Sequence, residues 1–323
     1  MTHAIRIHAP GGADALRYEA VDLPAPGPGQ ATVRHTAIGV NFIDVYQRSG
    51  LYGIPAPFSL GMEGAGVVEA VGPDVVHVKP GDRIAYTGSP PGSYSTARTL
   101  PAGILVRLPD GIDDDVAASI MLKGMTSWYL LKRTHVARAG EAILVHAAAG
   151  GVGQILCQWA AHIGCTVIGT VGSDEKAAIA RACGCHHPIV YTREDFVARV
   201  KEITGGTGVS VAYDSVGKDT FQGSFDCLRN TGHLISFGQS SGPPPAIETK
   251  WLAQKSASLT RPTLFHYIAL RADLETAAAE LFEMVTTGIV KIAPPAVYPL
   301  ADAARAHRDL EGRRTTGSIV LRP

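Results

Sequence analysis

The sequence predicts an α/β protein of two domains, a compact β-barrel-like domain and a doubly wound parallel sheet of the Rossmann type. Three observations predict it. Residues 1–110 are a run of short apolar segments separated by Gly- and Pro-rich turns. From Glu141 onward, apolar segments of strand length alternate with segments of helical periodicity, the order of βαβ units. A chain of 323 residues is also long for a single core.

In the first domain, Ile5 and Ile7 mark a strand and Gly11-Gly12 its turn. Pro24, Pro26 and Pro28, interleaved with Gly27 and Gly29, form a stiff connector. Residues 30–40 have strand character. Residues 65–71 are an apolar run closed by the turn Val71-Gly72-Pro73-Asp74, and residues 76–78 lead through the turn Lys79-Pro80-Gly81-Asp82 to a further strand at 83–86. Asp113-Asp114-Asp115 opens a helix, where acids suit the positive end of the dipole. Val116, Ile120 and Met121, then Trp128, Tyr129, Leu130 and Leu131, supply apolar contacts for two consecutive helices broken near Gly124. This stretch is expected to bridge the domains.

The second domain opens on residues 141–164, around which the chain is organised. Residues 142–145 are a short apolar run bounded by polar residues, a buried strand. Ala147-Ala148-Ala149-Gly150-Gly151-Val152-Gly153 is a turn of small residues, after which Ile155, Leu156, Trp159 and Ile163 recur at helical spacing until Gly164. Strand, glycine turn and helix are the first half of a dinucleotide-binding unit. Small residues let the backbone approach a pyrophosphate, and the helix start offers unpaired N–H groups and a positive dipole end. Ala147 stands where the first glycine is usual, giving A-x-x-G-x-x-G. Further strands are expected at 166–171, 188–191, 209–213, 233–237 and 257–260, with helices at 174–183 (capped by Ser173), 194–203 and 221–228. Residues 265–323 hold a helix at 273–287, a Pro-rich strand region at 294–299, a short helix at 302–310 and a last strand at 317–321, and are expected to fold back onto the first domain. The expected division is 1–124, 125–262 and 263–323.

Composition excludes several classes of function. Lys plus Arg number 29 and Asp plus Glu number 29, so there is no net charge to favour nucleic acid or a membrane surface. No apolar stretch is long enough to span a bilayer, and the N-terminus lacks a signal peptide's apolar core. Five cysteines, an odd and sparse set, argue against a disulfide framework and for a reducing, cytoplasmic compartment. Cys183-Gly184-Cys185-His186-His187 resembles a metal tract, but its spacing matches no common zinc pattern. Gly208-Val209-Ser210-Val211-Ala212 resembles a hydrolase elbow, but its serine falls within an expected strand.

Five spaced motifs carry a family resemblance. They are Asn41-Phe42-Ile43-Asp44-Val45-Tyr46, Gly61-Met62-Glu63-Gly64-Ala65-Gly66-Val67-Val68, Lys79-Pro80-Gly81-Asp82-Arg83, the small-residue turn at 147–153, and Tyr213-Asp214-Ser215-Val216-Gly217. Together they resemble the medium-chain dehydrogenase/reductase superfamily, and within it the zinc-independent quinone oxidoreductases of the ζ-crystallin type. The resemblance runs nearly end to end. It implies a GroES-like catalytic domain, a Rossmann domain and NADPH-dependent reductase activity. In the zinc branch a cysteine begins the segment that here starts with Asn41, and a histidine stands where Met62 is; here an amide and a thioether replace them, and no cysteine lies between Tyr86 and Pro101. No zinc is therefore expected.

Without zinc, the cofactor carries the chemistry and the protein supplies position and electrostatics. The resemblance puts Asn41 beside the nicotinamide, where its amide orients the ring or a substrate oxygen, and makes Phe42, Ile43 and Asp44 cofactor contacts. Tyr46 donates to a substrate oxygen or stacks on the acceptor, and Tyr52 lines the substrate pocket. Lys123, Thr126 and Tyr129 are carried over to the nicotinamide. Gly150, Gly151 and Val152 face the pyrophosphate. The second strand ends Gly169-Thr170-Val171-Gly172-Ser173, without the acid that binds an NAD ribose, and Ser173 and Lys176 offer a hydroxyl and a cation to a 2′-phosphate. The resemblance adds Gly172, and Tyr191 at the adenine ribose. It adds Ser215, Phe237, Gly238, Gln239 and Ser240 at strand ends, Phe265, His266 and Tyr267 at the return, and Arg313 near the C-terminus. The expected enzyme is a homodimeric NADPH:quinone oxidoreductase. Alternatives are a reductase of conjugated carbonyls or enoyl thioesters, and an NADPH-binding structural protein of the crystallin kind.

Overall fold

A computed structural model describes all 323 residues, Met1–Pro323, in two compact units. One holds Met1–Met125, Ile268–Thr286 and Ile292–Pro323; the other holds Thr126–Tyr267 and Thr287–Lys291. The second unit thus runs five residues beyond the expected boundary at 262 and takes back a short segment of the return. The reason is local: the Gln158 side-chain amide brackets Lys291, donating to its carbonyl at 3.1 Å and accepting from its N–H at 2.8 Å.

The chain opens with β1 (Thr2–Ile7), β2 (Arg17–Val21) and β3 (Gln30–Val40), followed by α1 (Phe42–Arg48). Then come β4 (Phe58–Ser59), β5 (Glu63–Val71), β6 (Arg83–Thr87), β7 (Ala97–Pro101), β8 (Val106–Arg107) and α2 (Asp114–Tyr129). β1 is the centre of a small sheet, flanked by β2 and β4. The 11-residue β3 is long enough to pair antiparallel with both β5 and β7. Two corrections arise here. The stretch expected as strands and turns contains a helix, α1, because Asn41 and Asp44 have capping-box spacing and form the reciprocal pair. And α2 runs unbroken through Gly124, where a break was expected. The glycine is there for packing: a Cβ would lie 2.4 Å from a methyl of Leu281.

The second unit alternates β9 (Ala142–Val145), α3 (Gly151–Ile163), β10 (Thr166–Val171), α4 (Asp174–Ala182), β11 (His187–Val190), α5 (Phe196–Ile203), β12 (Val209–Asp214), α6 (Phe221–Asp226), β13 (Leu228–Ser236), α7 (Thr249–Ala253), β14 (Ser258–Thr260) and α8 (Leu264–Tyr267). Its strands form one parallel sheet in the order β11-β10-β9-β12-β13-β14. The order reverses between β9 and β12, and open α/β sheets bind ligands at such a switch, beyond the carboxyl ends of the strands. Ile143, Leu144, Val167, Ile168, Val211 and Ala212 are wholly buried, as strands covered on both faces must be. Ser210 lies inside β12 and not on a turn, so it is no nucleophile elbow.

The return adds α9 (Arg271–Thr286), β15 (Ala296–Pro299), α10 (Ala303–Glu311) and β16 (Ile319–Arg322). β16 pairs antiparallel with β3, Ile319 opposite Val40, and β15 runs parallel to β16. The last strand therefore completes the large sheet of the first unit.

Candidate active site

In the second unit, the turn after β9 is built to bring backbone close to a ligand. A Cβ on Gly153 would lie 2.3 Å from the Ala147 carbonyl oxygen and 2.8 Å from Ala148 backbone atoms, so only glycine fits. Ala147, in the place of the first fingerprint glycine, has φ +52°, a left-handed conformation that costs an L-residue about 1–2 kcal/mol. Gly150 is the N-cap of α3 and supplies no side-chain cap, so the first-turn N–H groups of this 13-residue helix are left to a ligand or water. Gly150, Gly151 and Val152 are all half-buried at this end. The cradle fits a pyrophosphate.

The end of β10 gathers the residues expected at a 2′-phosphate. A Cβ on Gly172 would stand 3.1 Å from the Tyr191 hydroxyl. Ser173 caps α4, accepting from the Lys176 N–H at 3.3 Å. Asp174, the acid at this corner, is held by both terminal nitrogens of Arg193 at 2.5 Å, and that guanidinium keeps its carboxyl below the usual range. Arg193 escaped the sequence reading. Its signal was a second basic residue two positions beyond Tyr191.

Two further loops meet at the carboxyl ends of β12 and β13. The fully buried Asp214 carboxylate accepts from the N–H groups of Val216 and Gly217 and from the hydroxyls of Thr220 and Ser224. It thereby shapes the Ser215 loop. The Ser215 carbonyl accepts from the Ser240 N–H at 3.2 Å, and Gly238 packs so tightly on Ser215 that a Cβ would lie 2.6 Å from its oxygen. Ser215, Phe237, Gly238, Gln239 and Ser240 are thus brought together. Tyr129 and Tyr267 stack at 4.6 Å, and Thr134 donates to the Tyr267 hydroxyl at 3.1 Å. Burial pushes the Tyr129 phenol well up. Phe265 is half-buried and His266 exposed on the same short helix as Tyr267, and Thr126 is buried on α2.

In the first unit, Asn41 is held on three sides. Its N–H donates to Asp44 Oδ2 at 2.8 Å, its side chain accepts from the Asp44 N–H, and Nδ2 donates to Glu63 Oε2 at 2.7 Å. The amide is therefore oriented unambiguously. One Nδ2–H is taken by Glu63, which leaves the second Nδ2–H as a donor for a ligand. Glu63 is wholly buried, accepts at Oε1 from the Leu122 N–H at 2.8 Å, and pairs at Oε2 with the buried Lys123 ammonium at 3.4 Å. The Asp44 carboxyl, named among the cofactor contacts, is likewise buried and serves Asn41. Met62 is buried and its sulfur accepts from Gln47 at 3.4 Å. Neither Asn41 nor Met62 is a zinc ligand, and no group of three or more His, Cys, Asp or Glu is placed to hold a metal ion. Phe42, Tyr46 and Tyr52 form an aromatic row, 6.2 Å and then 5.2 Å between centroids, with Tyr46 and Tyr52 edge to face. Ile43 is half-buried, and Arg313 is exposed at φ +56° after α10.

Known proteins show the family. The chain matches the alcohol dehydrogenase GroES-like domain over residues 27–110 and the zinc-binding dehydrogenase domain over 151–283. It is 49% identical over 325 residues to a quinone oxidoreductase of Pseudomonas aeruginosa, each chain covered in full. The chain belongs to the quinone oxidoreductases of the medium-chain dehydrogenase/reductase superfamily. Its fold is theirs, a GroES-like domain with a Rossmann domain: an Escherichia coli quinone oxidoreductase solved in complex with NADPH superimposes with a TM-score of 0.98 at 45% identity, both chains fully covered. A 2-haloacrylate reductase from a Burkholderia species is 46% identical over all of this chain and 99% of its own. The chain shares the length and fold of these quinone oxidoreductases.

Proposed function

We propose that the protein is an NADPH-dependent, zinc-free quinone oxidoreductase. The observation that carries this is the full-length likeness to quinone oxidoreductases at 45–49% identity. When bound, the nicotinamide supplies the hydride. The turn at 147–153 and the α3 N-terminus receive the pyrophosphate. Lys176, with Ser173 and Arg193, receives the 2′-phosphate, and Tyr191 flanks it. The Ser215 and 237–240 loops, the Tyr129–Tyr267 pair, Phe265 and His266 complete the nucleotide contacts, with Arg313, Phe42, Ile43 and Tyr46 as further ones. In the first unit, the second Nδ2–H of Asn41 donates to the acceptor oxygen as charge develops on it, beside the Lys123 ammonium. Tyr46 and Tyr52 offer ring faces to a flat acceptor, and water or a nearby hydroxyl returns the proton.

The Burkholderia relative favours a second reading, reduction of a conjugated carbonyl, by the same groups. The protein is cytoplasmic and dimeric on this reading, with the three-residue edge strand β14 continuing the sheet across a two-fold axis. No helix is long and apolar enough to cross a membrane. A monomer in sedimentation at micromolar concentration contradicts the dimer.

Fluorescence titration of NADPH and NADH against wild type and Lys176→Ala tests the cofactor site. The expected result is tighter NADPH binding, weakened about 10- to 100-fold in the variant with NADH unchanged, the value of one charge-assisted contact. Steady-state turnover with a panel of quinones and 2-enals then separates the two readings. Cofactor binding without turnover of either class contradicts both.

A further inference from the structure

The first unit contains a buried polar chain that the hydride-transfer reading does not use. It runs from the exposed Glu311 on α10 to the buried Asp44 on α1. Glu311 accepts from both terminal nitrogens of Arg48, at 2.8 and 2.9 Å, and Arg48 is 3% exposed. Arg48 Nη1 lies 3.0 Å from His307 Nδ1, His307 Nε2 lies 3.0 Å from the Tyr94 hydroxyl, and Tyr94 donates to Asp44 Oδ2 at 3.0 Å. A guanidinium has only donors, so His307 accepts at Nδ1 and carries its proton on Nε2. Every link then points one way, from Arg48 to Asp44.

The end of this chain is incomplete. Asp44 Oδ2 receives two donors, from Asn41 and Tyr94, whereas Asp44 Oδ1 is buried with none. One helical turn on, the Gln47 Oε1 acceptor is also buried with no donor, its amide nitrogen being turned to Met62. An orphaned carboxylate oxygen is what a missing proton leaves behind: a hydrogen on Asp44 Oδ1 removes its unpaired buried charge. Charge counting agrees. Glu63 from β5 pairs with Lys123 from α2, Arg48 is matched by Glu311, and Asp44 has no ion-pair partner of its own, feeling the Lys123 charge only weakly beside its burial. Tyr94, Glu63 and Lys123 act on Asp44 directly, and His307, Arg48 and Glu311 connect to it through Tyr94.

We propose, resting on the reductase reading, that this chain is a one-proton switch beneath Asn41: the enzyme is active with Asp44 protonated and loses activity when that carboxyl ionises. Hydride addition makes the acceptor negative, and a second buried anion attached to the Asn41 backbone opposes it. Asp44 acts through Asn41 and is a positioning residue. His307 and Tyr94 do not titrate in the working range. Burial and Arg48 hold His307 down at about 3, and burial raises the Tyr94 phenol well above its usual value. Burial lifts Asp44 to about 7, against the hydrogen bonds from Asn41 and Tyr94 that favour its ionised form.

The test has two arms. In steady-state kinetics from pH 5.5 to 8.5, wild-type kcat falls from its plateau by about tenfold at pH 8, as one ionisation centred near 7 requires. Asp44→Asn, which cannot ionise, shows no such fall. Tyr94→Phe removes a bond that favours the charged form, so its fall moves to higher pH. The second arm needs no turnover. A carboxyl raised from 3.8 to about 7 contributes stability that is complete below pH 3.8 and lost as pH rises to 7. The Tm of Asp44→Asn therefore gains on that of wild type between pH 4 and 7 and then holds level. A flat wild-type profile, or the same fall in Asp44→Asn, overturns the switch. If no variant reduces a quinone at any pH, the reductase reading fails and the Tm arm decides alone: a constant Tm difference from pH 4 to 7 overturns a protonated Asp44.

Discussion

Replacing Gly153 by alanine probes the nucleotide cradle most directly. The added methyl would meet three backbone atoms, the Ala147 oxygen at 2.3 Å and the Ala148 carbonyl carbon and Cα at 2.8 Å. Ordinary contact begins near 3.4 Å, so the turn must open by about 1 Å, and no flexible side chain can yield in its stead. Overpacking of this kind costs about 1–3 kcal/mol, with the upper end expected because backbone must move. With an unfolding entropy of about 2 cal/mol/K per residue over 323 residues, about 3 kcal/mol lowers Tm by about 4–5 °C. The same displacement carries the start of α3 away from the pyrophosphate. Losing one charge-assisted N–H bond to the pyrophosphate costs about 1.5–3 kcal/mol, roughly 10- to 100-fold in affinity. Thermal unfolding and NADPH fluorescence titration of Gly153→Ala measure the two effects. The control is Ala147→Gly, which relieves the left-handed alanine but adds chain entropy, two terms of about 1 kcal/mol that offset. A Gly153→Ala protein with wild-type Tm and NADPH affinity would refute the close-approach argument.

Two further predictions concern the first unit. Asn41→Ala removes the free Nδ2–H donor, lowering kcat by roughly 100-fold with smaller change in KM, and removes the α1 cap at about 1 kcal/mol; steady-state kinetics and denaturant unfolding separate the terms. Arg48→Met leaves Glu311 unpaired, but that carboxylate is 37% exposed in its side chain and can hydrate. The expected loss is therefore about 2–3 kcal/mol, below the 3–5 kcal/mol of a fully buried pair, read from urea unfolding.

Local pattern made much of this protein legible. Alternation after Glu141 gave the six parallel strands. The placement of a small-residue turn between strand and helix marked the cradle, and Ser173 and Lys176 after Val171 marked the corner proposed for a 2′-phosphate. Each of these depends on residues within about one βαβ unit, and short-range sterics and dipoles fix such features. Where a local rule was overridden, packing from elsewhere did it. Gly124 reads as a helix breaker, yet it lies within α2 because Leu281, far along the chain, occupies the space of its missing side chain.

What the tertiary structure alone decided was which polar groups meet in the interior. Asp44, Tyr94, His307, Arg48 and Glu311 are scattered along the chain, and no spacing announces them. They converge because β16 returns to pair with β3 and brings α10 with it. Likewise, the sequence put Asn41 in the site but left both its amide atoms open. Only the bond to Glu63 shows which way the amide faces and that one N–H remains. Secondary structure and backbone-cradle sites follow from neighbours in sequence. The partners of buried polar groups follow from neighbours in space, because a buried donor or acceptor takes its partner from whatever the fold places beside it.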